Sequence, residues 1–145
     1  MRVDFYQLSR DPVSAALPAI ARAVKRSGEK LLVVSEDAGQ REAISRNLWK
    51  MFADDFLAHG QADEPHAACQ PLLLSATCEP VNGARYIAMA DGVWRDEALA
   101  FERVFLFFDP ETIAGARDCW RMLGEREDTE RRFWKQEDGR WIEGP

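Results

Sequence analysis

The sequence predicts an α/β protein with a mostly parallel central sheet, about three helices and a C-terminal hairpin. Two observations carry this prediction. Segments of strand character alternate with segments of helical period through the first fifty residues, the pattern of strands joined by crossover helices. Two strand candidates, "LLVV" at 31–34 and "VFLFF" at 104–108, are continuous apolar runs, the mark of strands covered on both faces. With 145 residues, one domain spanning 1–145 is expected, large enough for a real core.

Each element has its own warrant. "VDFYQL" mixes β-branched and aromatic residues and reads as the first strand. The helix that follows has Asp11 as its expected cap, Pro12 at its first position and Gly28 as its stop. Val13, Leu17, Ile20, Ala21 and Val24 recur on one helical face, and Pro18 inside this pattern predicts an irregular first turn. After "KLLVVSED" a second helix carries Ala43, Ile44, Leu48 and Met51 inward. "QADEPHAACQ" reads as a polar loop, "PLLLS" and "RYIAMA" as short strands with "VNG" as turn material between them, and "FERVFLFF" as a further strand. "DPETIAGARDCWRML" is a third helix with Asp109 as cap, Pro110 at its start and Gly124 at its end. "EREDTERR" is a solvated link, and residues from about 130 to 145 form a hairpin turning at Asp138-Gly139. No internal repeat, low-complexity segment or domain boundary interrupts the chain.

Composition narrows the function. Hydrophobic residues are 46% and charged residues 30%, the balance of a folded, soluble chain. The net charge of -6 and a pI near 5.0 argue against non-specific binding to nucleic acid, which needs concentrated Lys and Arg. No apolar run has the length of a membrane span and the first residues enter a strand directly, so a cytoplasmic protein is expected. Three widely spaced cysteines without a CxxC pair point to reduced thiols.

The catalytic and cofactor motifs are missing. The turn after the first strand, "SRDPVSAA", holds no glycine, and the chain has neither GxGxxG nor GxxxxGK[ST], so backbone amides have no ready way to converge on a phosphate. His59, His66, Cys69 and Cys78 match no zinc-finger spacing. There is no GxSxG, and Cys119 lies inside a helical pattern, far from the helix N-terminus that would activate it. Asp54 and Asp55 are adjacent on an extended segment and point apart. No catalytic residue, metal or cofactor is expected.

The aromatics are more informative. Five tryptophans in so short a chain exceed what one core easily hides. Trp49 and Phe52, near the end of the second helix, and Phe56 and Leu57 soon after, are candidates for an interaction surface. Base stacking on tryptophan is a competing use, opposed by the acidic charge.

"VDFYQL", "LLVVSED", "LWKMFADDFLAHG", "FERVFLFFD" and "ARDCWRML" occur in an order that resembles the chi subunit of bacterial DNA polymerase III. Leu48-Trp49 and Phe56-Leu57-Ala58-His59 are similar to the family's Leu-Trp and Phe-[Leu/Val]-Pro-His, with Ala58 where proline is usual. The terminal "RFWKQEDGRWIEG" looks like a lineage-specific ending. The resemblance implies a Rossmann-like three-layer sandwich without a working nucleotide site and without catalysis of its own. It implies an adaptor that bridges the clamp loader, through the psi subunit, to the C-terminal tail of single-stranded DNA-binding protein. By resemblance, Trp49, Phe52, Phe56 and Leu57 face psi or a helicase competing for the same place. Arg117 would fork the terminal carboxylate of the tail. Trp120 with Leu106 or Phe107 would wall an apolar pocket, and Arg121 would draw the tail's acidic residues. Two other readings stay open: a small nucleotide-binding enzyme using Asp37 or Asp55, and a direct binder of single-stranded DNA.

Overall fold

A computed structural model describes residues 1–52, 57–137 and 140–144. Eight strands and three helices follow in the order β1 (Arg2–Gln7), α1 (Val13–Arg26), β2 (Leu31–Val34), α2 (Ala38–Lys50), β3 (His59–Gln61), β4 (Leu72–Ser75), β5 (Tyr86–Met89), β6 (Arg103–Phe108), α3 (Ile113–Gly124), β7 (Glu130–Glu137) and β8 (Arg140–Glu143). All strands join one sheet, ordered β3-β4-β2-β5-β6-β1-β7-β8. Every pairing is parallel except that of β7 with β8.

Alternation along the strands builds the three layers. Leu31, Val33, Leu72, Leu74, Phe105 and Phe107 point to one face, where Leu17 and Ala21 of α1 and Ile44 and Leu48 of α2 cover them. Leu32, Val34, Leu73, Val104, Leu106 and Phe108 point to the other, where Ala116, Cys119 and Leu123 of α3 pack. Strands buried on both faces explain the unbroken apolar runs. From β1 the chain crosses one face to β2, and from the adjacent β6 it crosses the other face to β7. The sheet's topological switch point therefore lies between β1 and β6.

Beside that point sits Asp4, fully buried on β1. Its carboxylate accepts from Arg2 Nη2 at 3.0 Å, from Arg103 Nε on β6 at 2.9 Å and from Trp134 Nε1 on β7 at 3.0 Å. On the same face Tyr6 stacks with Phe107 at 5.1 Å and with Trp134 at 6.2 Å, and Trp141 of β8 meets its edge at 5.0 Å. Burial, with the Asp4 charge adding to it, pushes the Tyr6 phenol up to about 12. Trp134 and Trp141 thus extend an aromatic row across the sheet.

Several local expectations are corrected. Asp11 does not cap α1: Pro12 is the N-cap, without a side-chain bond, and Asp11 instead accepts from Gln136 Nε2 of β7 at 3.0 Å. Helix α2 ends at Lys50, so Met51, expected to face inward from it, is already extended, and Phe52 takes a left-handed φ of 55°. Just before the polar loop, and sharing Gln61 with it, runs β3, a three-residue edge strand with no apolar alternation to announce it. The cap of α3 is Thr112 instead of Asp109, whose carboxylate accepts from the amides of Glu111 and Thr112 just before the helix. The hairpin turn at Asp138-Gly139 lies outside the described residues.

Pro18 leaves the Ser14 carbonyl without its intrahelical donor. Asn47 of α2 supplies one, its Nδ2 donating to Ser14 O at 2.7 Å. Helix α1 runs unbroken through Pro18, against the irregular turn expected there, and this bond joins it to α2. Asn47→Ala is expected to cost about 1 kcal/mol in urea unfolding. In a Pro18→Ala background, where residue 18 regains its N–H, the same substitution should cost distinctly less; strictly additive losses would exclude this coupling.

Candidate functional site

The switch point is where α/β folds hold nucleotides. A cleft of about 330 Å³ does open there, between the ends of β1, β5 and β6, and no glycine lines it. Asp11, Asp91 and Asp109 do. Asp91 is paired with Arg95 at 2.8 Å and accepts from the Glu36 amide at 3.1 Å. Burial alone would raise its carboxyl, but these bonds hold it below the usual range. A crevice walled by carboxylates and lacking a glycine turn opposes a phosphate both electrostatically and sterically. Asp37, the acid of the enzymatic alternative, caps α2 by accepting from the amides of Gly39 at 2.9 Å and Gln40 at 3.2 Å. Asp54 and Asp55 lie outside the described residues.

His59 is occupied structurally. Its Nδ1 donates to Leu57 O at 2.8 Å, and the Ser45 hydroxyl lies 2.8 Å from its Nε2. Among the described residues no group of three or more His, Cys, Asp or Glu is placed to hold a metal ion. Cys119 is buried on the inner face of α3, and burial pushes its thiol up to about 12; burial raises the Cys78 thiol too. Neither is an available nucleophile.

A second opening differs in character. Between α3 and the sheet lies a pocket of about 200 Å³, lined by Phe5, Gln7, Phe108, Ile113, Ala116, Arg117, Trp120 and Phe133. Ala116, Cys119 and Leu123 turn α3 into the core, which places Arg117 and Trp120, three residues apart, along the pocket. The Trp120 ring is fixed from two sides. Phe5 meets it edge to face at 5.1 Å, and the Arg131 guanidinium lies 4.3 Å from its centroid. Arg131 also donates to the Trp120 carbonyl at 2.7 Å. The pocket is apolar and aromatic, with an exposed arginine at its edge.

Of the five residues expected here, the structure brings together Arg117 and Trp120. Arg121 is 72% exposed, bonded to Asp118 and absent from the pocket lining. Leu106 is completely buried beneath it. Phe107 belongs to the opposite face, against Tyr6, because successive strand residues alternate sides. The wall is Phe108 instead. Phe5, Gln7 and Phe133 were missed because their convergence requires β7 to lie parallel beside β1, with Phe5 in register with Phe133.

The other expected surface lies across the sheet, at the end of α2. Trp49 is 54% exposed, its ring 4.5 Å from that of His59. Phe52 is partly buried beneath the Arg22 guanidinium, 4.4 Å from its centroid. Leu57 is only 1% exposed: its side chain is core, in the cluster of Ile44 and Leu48, and is no contact for a partner. Phe56 lies outside the described residues.

Fold and pocket together define a Rossmann-like α/β module with an acidic cleft in the nucleotide position and an aromatic pocket behind α3. Its class comes from comparison with known proteins. A family model described as DNA polymerase III chi subunit, HolC, matches residues 1–130, and the chain belongs to that family. A curated relative, the "Probable DNA polymerase III subunit chi" of Rickettsia prowazekii (strain Madrid E), is 28% identical over 76 residues, 50% of this chain and 46% of the relative. The match thus spans about half the length of that relative. No helix among the described residues is long and apolar enough to cross a membrane.

The thiols give a direct check of this packing. Cys69 is exposed, whereas Cys78 and Cys119 are buried. A thiol reagent added to the folded protein should label one cysteine promptly and all three only after denaturation. Prompt labelling of Cys119 would mean that α3 does not pack on the sheet as described.

Proposed function

We propose that this chain is a bridging adaptor of the polymerase III holoenzyme, without catalysis of its own. Its pocket behind α3 holds the C-terminal tail of single-stranded DNA-binding protein, and its α2 surface docks the psi subunit of the clamp loader. One observation carries the reading: Arg117 stands at the edge of a pocket about one side chain in size, walled by Trp120, Phe108, Phe5 and Phe133. An apolar terminal side chain fills such a space while its free carboxylate meets the guanidinium, a charge-assisted, fork-shaped pairing. Arg121, outside the pocket and at the solvent, serves the acidic residues upstream at longer range.

The placement of Trp49 supports two partners at once. It lies on the α2 face and the pocket on the α3 face, so neither partner blocks the other. A helicase of the replication apparatus would compete at the Trp49 surface and not at the pocket. An acidic protein can serve DNA in this arrangement because it reads the charge of a protein tail and leaves the phosphates to that partner.

Fluorescence anisotropy with a labelled tail peptide tests the pocket. Binding should be weak, on the order of micromolar, and should fall as salt rises. Arg117→Ala should abolish detectable binding, and amidation of the peptide's C-terminus should do the same. Arg140→Ala, in the hairpin, should have little effect. Full affinity for the amidated peptide would place the site elsewhere. For the second surface, Trp49→Ala should weaken association with psi by roughly 2 kcal/mol. Its thermal unfolding should stay close to that of the parent, and unchanged association would remove Trp49 from the interface.

A further inference from the structure

The family match ends at residue 130, but the pocket does not. Phe133, three residues further on β7, supplies one wall and stacks on Phe108 with centroids 6.2 Å apart. Across the hairpin its neighbour is Gly144, whose amide donates to the Phe133 carbonyl at 2.8 Å. That bond fixes the two backbones side by side. A β-carbon built on Gly144 would overlap Cδ1 of the Phe133 ring and lie 2.7 Å from Cε1, closer than real β-carbons come. The bare backbone at 144 is thus the space in which the ring lies. With that space filled, the ring has to leave its place beside Phe108, and the pocket it walls changes width.

We infer that the C-terminal hairpin sets the width of the pocket: Phe133 is its adjustable wall, and the missing side chain at Gly144 keeps it open to an aromatic group carrying a carboxylate. The occupant is the one assigned to the pocket above, and the inference rests on that reading. It makes the segment beyond the family match a selectivity element, acting on which terminal side chain the pocket admits.

The test uses the full-length chain and 3-phenylpropionate, the smallest probe joining an aromatic ring to a free carboxylate. Binding is followed by NMR through the Trp120 indole N–H. The parent should show a saturable shift, and Gly144→Ala should weaken binding about tenfold, a change of about one decade in Kd. Phe133→Ala and the double variant Phe133→Ala/Gly144→Ala should bind alike, since without the ring the added methyl has nothing to displace. Three results would overturn the inference: no binding by the parent, equal binding by the parent and Gly144→Ala, or the same loss from Gly144→Ala in both backgrounds. The last of these would mean that the substitution acts by disrupting the hairpin. A tail peptide with a free carboxylate is titrated in parallel. If the parent takes up 3-phenylpropionate with this pattern but not the peptide, the tail assignment fails and the hairpin's control of the pocket stands.

Discussion

A single buried carboxylate holds together the half of the sheet on which everything else is built. Asp4 receives hydrogen bonds from residues on β1, β6 and β7. A charge with no solvent exposure is costly unless paired and bonded, and two guanidinium groups and an indole meet that requirement here. The geometry also sets register, since Trp134 reaches Asp4 from the neighbouring strand only with β7 parallel to β1 in its observed alignment. That alignment brings Phe133 beside Phe5 and closes the outer wall of the pocket. The aromatic row of Phe107, Tyr6, Trp134 and Trp141 rests on the same strands. Site and scaffold therefore share one anchor, on opposite faces of β1.

Much of the fold was legible because its central strands are covered on both sides, and such strands advertise themselves as unbroken apolar runs. The same property hid part of the site. An unbroken run such as "VFLFF" does not say which residue faces which layer, so Phe107 was expected where Phe108 stands. On α3 the spacing was sufficient for Arg117 and Trp120, because the helix presents only one face to the core. Leu57 shows the opposite failure: beside exposed Trp49 in a motif, it looked like surface, but the return of the chain toward β3 buries it. β3 itself has three residues and no pattern. The contribution of β7 to the pocket depends on a pairing between residues well over a hundred positions apart, which local periodicity does not encode.

The acidic cleft and the aromatic pocket divide the fold's inheritance. α/β sheets place binding crevices at the ends of their strands, and this one retains the crevice. Its carboxylates now serve structure: Asp91 grips Arg95, Asp109 orders the turn before α3, and Asp11 ties that end of the sheet to β7. Behind α3 lies an opening of different character, a hydrophobic and aromatic pocket with Arg117 at its edge.

The neighbours of β1 have a consequence for how the protein is made. Arg2 pairs with Arg103 on one side and with Glu130 on the other, so β1 finds its strand partners only in segments made much later than itself. At ordinary translation rates the delay is on the order of ten seconds. During it, Val3 and Phe5 lack the two strands that flank them in the finished sheet. Parallel pairing over such separations is intrinsically slow and leaves apolar segments exposed to aggregation.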